Sequence, residues 1–282
     1  MRAHDGVELA LYRAESARTR RTPLVLVHGT FSNRTFFLGT GNRGLARYLA
    51  GRGFDAWVPE LRGHGRSGAQ ARDRTWRFED WIRHDAGALL AGVREATGSP
   101  RAVWIGHSAG GVIAMAYAGL GTAESSAIAG IVTAGAPAPT GPGHVNRALA
   151  AVGYGITRLL GHFPARALGI GPEDEQPGIM AQWMQWNARG RWTGTDGTDY
   201  LAAAARVTAP LLTLAGRRDF MAPPSACRRL HDLPASTDKT FVECGRDTGF
   251  PRDFSHDGLI VSKAAHDTVW PLIARWLEER FD

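Results

Sequence analysis

The segment Gly106-His107-Ser108-Ala109-Gly110 constrains the fold more than any other part of the chain. It stands between a short β-branched and aromatic run, Ala102 to Ile105, and an apolar run of helical composition that ends at Ala118. This order predicts a strand that turns sharply into a helix at Ser108, with a strained serine backbone and an exposed hydroxyl. The flanking glycines are needed because a Cβ there would meet the neighbouring strand and helix. The alternative is a glycine-rich turn whose serine only caps the helix.

Strand-like and helix-like runs alternate along most of the chain. Residues 7–12 alternate apolar and polar positions, which is typical of an antiparallel edge strand. Residues 24–27 form a continuous apolar run, which is typical of a buried parallel strand. Further strands are predicted at 55–58, 102–105, 130–133, 211–214 and 240–243, and helices at 43–50, 78–96, 108–120, 225–231 and 262–279. The alternation predicts an α/β fold with a doubly wound, mostly parallel sheet and right-handed crossovers.

The alternation stops between residues 138 and 206. This segment contains helical stretches but no convincing buried strand, and it is too long for a simple connection. We therefore predict a helical cap or lid at 138–206, inserted into a single α/β body formed by residues 1–137 and 207–282. Met180, Trp183 and Met184 share one face of a cap helix, where they either pack the cap onto the body or line an apolar pocket.

Composition excludes several classes of protein. The longest apolar stretches fall well short of the roughly 20 residues that span a bilayer, so no integral membrane segment is expected. The net charge of +6 comes from scattered arginines, which argues against a nucleic-acid partner. The two cysteines, Cys227 and Cys244, belong to no metal-binding pattern, and we expect no metal. The N-terminus lacks a basic start followed by an apolar segment, so the expected location is cytoplasmic.

A serine nucleophile needs an acidic residue that orients its base, and behind a turn of this kind the chain order is serine, acid, histidine. Asp219 lies just beyond the predicted strand 211–214. The other usual position, the end of the strand after the nucleophile helix, is residues 135–139 and contains no carboxylate. Asp219 is therefore the candidate acid, and the alternative is that it only forms a turn or caps the next helix.

The candidate base follows from the same order. Only His256 and His266 lie beyond the last predicted strand. His256 belongs to the polar loop 245–258, which can carry an imidazole over the edge of the sheet, whereas His266 falls in the final helix and is expected to face solvent. We predict that His256 is the base; the alternative is a purely structural loop histidine.

Two backbone N–H groups are needed to hold the developing oxyanion. One is predicted at Ala109, directly after the nucleophile. The second is predicted in the loop His28-Gly29-Thr30-Phe31, where Thr30 is the first choice and Phe31 the next. His28, His64 and His107 lie in or beside glycine-containing turns, and we expect them to have structural roles.

These motifs give the chain a resemblance to α/β-hydrolase fold lipases and esterases over about residues 5–137 and 207–282. The matching segments are the His28-Gly29 loop, Arg62 to Ser67, the turn at Ser108, Gly216 to Asp219, and Ser255 to Gly258. Phe78 to Ile82 together with Trp104 to Ser108 are also similar to acid lipases and polyhydroxyalkanoate synthases, although the synthases use a cysteine where this chain has Ser108.

The resemblance implies a serine hydrolase that cleaves carboxylic esters through an acyl-enzyme on Ser108, with a small-molecule substrate, no cofactor and no metal. Thioesterase, lactonase and acyltransferase activities use the same residues and remain open, as does a catalytically silent ligand-binding protein. The candidate substrate-binding residues are Phe31, Met180, Trp183 and Met184. If these line the pocket, they predict a preference for apolar acyl groups of medium or greater length.

Overall fold

The computed structural model describes residues 1–14, 22–41, 43–69, 75–138 and 144–281, and for 144–150 the backbone alone. Its centre is a seven-stranded sheet with the order β1-β3-β2-β4-β5-β6-β7. β1 pairs antiparallel with β3, and all other neighbouring strands pair in parallel, which confirms the predicted sheet. The strands are β1 (Leu11–Arg13), β2 (Leu24–Val27), β3 (Ala56–Pro59), β4 (Ala102–His107), β5 (Ile128–Ala134), β6 (Leu211–Gly216) and β7 (Lys239–Cys244).

Helices follow most of the strands, close to the predicted positions. The predicted helix 78–96 is α3 followed by a π-helical turn at Trp81–Asp85 and then α4. The sequence patterns did not predict α1 and α10, which have four residues each. The helices are α1 (Thr35–Leu38), α2 (Leu45–Gly51), α3 (Phe78–Asp80), α4 (Ala86–Thr97), α5 (Ala109–Ala118), α6 (His144–Leu160), α7 (Pro177–Arg189), α8 (Tyr200–Ala205), α9 (Pro224–Asp232), α10 (Gly258–Val261) and α11 (Lys263–Glu278).

The sheet is buried on both faces, which explains the continuous apolar runs. All four residues of β2 are buried. Leu24 and Leu26 pack in one core cluster, whereas Val25 and Val27 pack in the other, because successive side chains of a strand point to opposite faces. A strand covered by helices on both sides therefore carries mostly apolar side chains.

Three helices, α6, α7 and α8, lie between β5 and β6, in the segment predicted as the cap. α7 contacts the body through Trp183, whose ring stacks on Phe78 with a centroid distance of 5.3 Å. α8 contributes Tyr200 and Ala204 to the core cluster that also contains α5. Residues 139–143, at the predicted start of the cap, lie outside the described residues, and the predicted domain boundaries stay a prediction.

The carboxyl ends of the parallel strands meet at one edge of the sheet, where ligands bind in open α/β folds. Ser108 follows β4, Asp219 follows β6, and His256 follows β7, so the topology brings all three to that edge. No helix in the part of the chain that the structure describes is long and apolar enough to cross a membrane.

Candidate active site

Ser108 lies in a strained turn between β4 and α5. Its backbone has φ 50° and ψ −120°, and among the described residues only Ser108 and Phe31 combine a side chain with a positive φ. The Ser108 N–H donates to the carbonyl of Ala134 at 2.9 Å, which holds the turn against the end of β5. A Cβ on Gly106 would collide with the backbone of Gly110. Strain of this kind costs about 1–3 kcal/mol per residue and concentrates at functional sites.

Phe31 is the second strained position, with φ 62°, and it lies in the loop after β2 that was predicted to hold the oxyanion. That loop packs directly against the serine, because a Cβ added to Gly29 would lie 2.7 Å from Cβ of Ser108. Among the described residues, the N–H groups of Thr30, Phe31 and Ala109 have no hydrogen-bond partner. These N–H groups therefore lie at or next to the two strained residues.

Asp219 and His256, predicted as acid and base, are in direct contact. His256 Nδ1 lies 2.7 Å from Asp219 Oδ2, and both residues are buried. The other carboxylate oxygen accepts from the N–H groups of Met221 at 3.0 Å and Ala222 at 2.8 Å, which fixes the orientation of the carboxylate. Because a carboxylate only accepts, Nδ1 carries the proton and Nε2 is left as an acceptor.

His107 connects the turn at Ser108 to the loop that carries His256, a contact that nothing in the sequence signalled. Its ring centroid lies 4.6 Å from that of His256, and Phe36 stacks on its other side at 4.3 Å. Burial, and then the neighbouring His256, hold the pKa of His107 well below its ordinary value, so the ring is neutral. Its Nε2–H donates to the backbone carbonyl of His256 at 3.3 Å, since a carbonyl can only accept.

His28 shapes the loop after β2, in agreement with the structural role expected for it. Its Nε2 accepts from the Leu61 N–H at 3.2 Å, so Nδ1 donates to the carbonyl of Gly29 at 2.8 Å. Burial, together with nearby His64, lowers the pKa of His28 to about 3, and the ring is neutral.

His64 contacts the cap rather than the proposed catalytic residues. Its Nε2 lies 3.2 Å from Oε2 of Glu175, and both side chains are fully buried. The distance is short, but neither atom makes a hydrogen bond of good geometry within the described part of the chain, so the contact is an ion pair. Burial lowers the pKa of His64, but the charge of Glu175 outweighs it, and the net pKa is raised.

A cavity of about 70 Å³ lies beside His256. Phe31, which was proposed from the sequence as a substrate-binding residue, lines it, and so does Thr30. The other described residues that line it are Ser32, Phe36, His107, Ile170, Gly171, Pro172, Met221, His256 and Asp257. The cap contributes Ile170 to Pro172, which the sequence did not single out.

The three cap residues predicted to bind substrate are placed differently from one another. Met180 is buried with Phe31 and Ala165 in a small cluster behind the cavity. Trp183 stacks on Phe78. Met184 lines a separate groove of about 840 Å³ between α6 and α7. None of the three is among the described residues that line the cavity beside His256.

His107, His256 and Asp257 offer atoms within 4.8 Å of one another, the spacing of a metal site. However, Asp219 already occupies His256 Nδ1, and the carbonyl of His256 occupies His107 Nε2. The ring nitrogens that these contacts leave without a partner among the described residues are His107 Nδ1 and His256 Nε2. His266 lies outside this network; it is exposed, and its Nδ1 contacts Asp267 at 2.8 Å.

Comparison with known proteins identifies the family. Residues 24–279 match the model of the alpha/beta hydrolase family, and the chain belongs to it. The sequence is 38% identical over 71 residues to a poly(3-hydroxyalkanoate) polymerase subunit of Haloarcula marismortui, and 28% identical over 121 residues to sterol esterase 2 of Saccharomyces cerevisiae. The first alignment covers 25% of this chain and the second 39%. This chain spans only 13% and 20% of the length of those two relatives.

Solved structures resemble the whole chain. A monoacylglycerol lipase from Paleococcus ferrophilus superimposes with a TM-score of 0.65 and 22% identity, over 96% of this chain and 99% of the lipase. Identity at this level establishes a shared fold. The membership in the alpha/beta hydrolase family supports a hydrolase.

Proposed function

We propose that the protein is a serine carboxylesterase that forms an acyl-enzyme on Ser108. The observation that supports this most directly is the buried 2.7 Å contact between His256 Nδ1 and Asp219, made beside the strained turn at Ser108. It leaves Nε2 as the acceptor that a general base requires. The N–H groups of Met221 and Ala222 donate to the other oxygen of Asp219 and keep the carboxylate oriented toward the imidazole.

In the proposed reaction, Ser108 Oγ attacks the ester carbonyl while His256 Nε2 takes the hydroxyl proton. The N–H groups of Thr30 and Ala109 stabilise the negative charge on the carbonyl oxygen. The tetrahedral intermediate then expels the alcohol, which receives the proton from His256. Water activated by the same imidazole cleaves the acyl-enzyme, releases the acid and restores Ser108. A thioester or a lactone can follow the same cycle, because it changes only the leaving group. An alcohol acceptor changes only the group that attacks the acyl-enzyme.

The test is labelling with a fluorophosphonate probe together with hydrolysis of p-nitrophenyl butyrate. We expect the wild type to be labelled and active, and Ser108→Ala to lose labelling and on the order of 10⁶ in kcat. Circular dichroism of the variant provides the control for folding. Labelling of folded Ser108→Ala would place the nucleophile elsewhere. A folded wild type that is neither labelled nor active would favour the ligand-binding alternative.

A further inference from the structure

One loop of the cap, residues 163–175, reaches the cavity beside His256; we call it the cap loop. Its ends pair with each other, because the Phe163 N–H donates to the Glu175 carbonyl at 2.9 Å and the Glu175 N–H donates back at 3.1 Å. Within the loop, the Ile170 N–H donates to the carbonyl of Ala165 at 2.9 Å. A loop closed in this way is a compact Ω-loop that holds its own shape.

The cap loop is fixed to the loop after β2, His28 to Phe31, which is proposed to bind the oxyanion and is called the oxyanion loop below. Phe163 stacks on Phe31 with a centroid distance of 5.2 Å. The Glu173 N–H donates to the Phe31 carbonyl at 3.1 Å, and the Asn33 side-chain amide donates to the Glu173 carboxylate at 2.6 Å. The position of the loop is therefore set by the same segment that is proposed to bind the carbonyl of the substrate.

A second anchor lies at the end of the cap loop. Glu175 pairs with His64, which belongs to the body and follows β3. Both side chains are fully buried, and removing one member of a buried pair leaves an uncompensated charge away from water. This anchor opposes displacement of the loop.

The tip of the cap loop, Ile170 to Pro172, forms one wall of the 70 Å³ cavity. Gly171 lies so close to the oxyanion loop that a Cβ would collide with the Phe31 carbonyl oxygen. Thr30 and His256 also line the cavity. The space available to a substrate group is thus bounded both by the cap loop and by two residues with proposed catalytic roles.

On the basis of the proposed esterase function, we propose that Ile170 determines acyl-chain length and that the substrates are esters of short acyl groups, from acetyl to butyryl. At about 70 Å³ the cavity is several times smaller than the roughly 300–1,000 Å³ pockets that enclose larger ligands, which favours a short acyl group. The acyl group is the part that enters, because its carbonyl has to reach the N–H groups of the loop that lines the cavity.

This inference replaces the preference for longer acyl groups that the stripe Met180, Trp183 and Met184 predicted. Trp183 packs the cap onto Phe78, and Met184 lines the separate groove. Met180 packs with Phe31 but does not itself line the cavity. Among the described cap residues, Ile170 to Pro172 are the ones that line it.

The experiment measures kcat/KM for p-nitrophenyl acetate, butyrate, hexanoate and octanoate with the wild type, Ile170→Ala and Leu168→Ala. Leu168 is the matched control, because it lies in the cap loop and is exposed like Ile170, but it is not among the described residues that line the cavity. We expect the wild type to prefer acetate or butyrate. Ile170→Ala should raise the octanoate-to-acetate ratio by at least about tenfold, the effect of a single methylene-sized change in an apolar pocket, and Leu168→Ala should leave it unchanged.

A second substitution tests the same wall from the other direction. Ile170→Phe enlarges the side chain and should lower the butyrate-to-acetate ratio while fluorophosphonate labelling persists. Equal ratios in wild type, Ile170→Ala and Ile170→Phe, in proteins that are labelled and active, would overturn this inference and leave the esterase function standing. Absence of both labelling and hydrolysis in the folded wild type would instead reject the proposed function.

Discussion

Two of the cavities lined by described residues differ in size and in chemistry. The groove between α6 and α7 measures about 840 Å³, and Arg77 is the one charged side chain among its described lining residues. The cavity beside His256 measures about 70 Å³ but adjoins an imidazole held by a buried carboxylate and a strained loop residue. By volume alone, the groove would be the candidate binding site. The hydrogen-bonded pair of His256 and Asp219 and the strained backbone of Phe31 identify the smaller cavity as the candidate active site.

Among the substitutions that test this comparison of the two cavities, we expect the largest effect at His256. We expect His256→Ala to lower kcat on p-nitrophenyl butyrate by on the order of 10⁶, because the base and the nucleophile of a serine triad act as one unit. His266→Ala is the matched control, since His266 is exposed and contacts Asp267 instead. Its activity should stay at the wild-type level. Similar losses in the two variants would remove the distinction between the small cavity and the rest of the surface.

The next effect is expected at Asp219. Asp219→Asn should lower kcat by about 10⁴, because an amide can donate to Nδ1 and favour the tautomer in which Nε2 carries the proton. KM should change little, since Asp219 is not among the described residues that line the cavity. Asp247→Asn serves as the control, because Asp247 is exposed and pairs with Arg217. If Asp219→Asn kept near-normal activity, the orienting carboxylate would have to be sought elsewhere.

The smallest effect is expected in the groove. Met184→Ala should change kcat/KM for butyrate by no more than about twofold, the scale of a substitution away from a functional site. Ile170→Ala, assayed in parallel, should alter the chain-length profile. Thermal unfolding of Met184→Ala shows whether the residue contributes to cap packing. A strong shift in chain-length preference in Met184→Ala would show that the groove, and not the small cavity, receives the acyl group.

The body of the protein followed from the sequence because its signals are local. Continuous apolar runs marked β2, β4 and β6, and the glycines around Ser108 marked the turn that the close approach of Gly106 and Gly110 requires. Chain order then selected Asp219 and His256 from several aspartates and from ten histidines. Their 2.7 Å contact follows from a topology that brings the ends of β6 and β7 together.

The contacts of the cap were harder to predict, because an apolar helix face indicates that the face is buried but not which residues it packs against. The stripe on α7 predicts burial for Met180, Trp183 and Met184 equally. Met180 packs with Phe31, Trp183 packs with Phe78, and Met184 packs beside Gly153 of α6. Helical spacing gives the face that is buried, whereas the neighbour of each residue depends on how the helix crosses the rest of the molecule.

By itself the sequence determined the order of strands and helices, the strained turn at Ser108 and the candidates Asp219 and His256, because periodicity and turn geometry act over a few residues. The tertiary structure decided which wall closes the cavity. The cap loop reaches Phe31 and His64 across more than a hundred residues of chain, through an aromatic stack and a buried ion pair. Such contacts depend on the packing of the cap on the sheet, and no local pattern in the sequence encodes them.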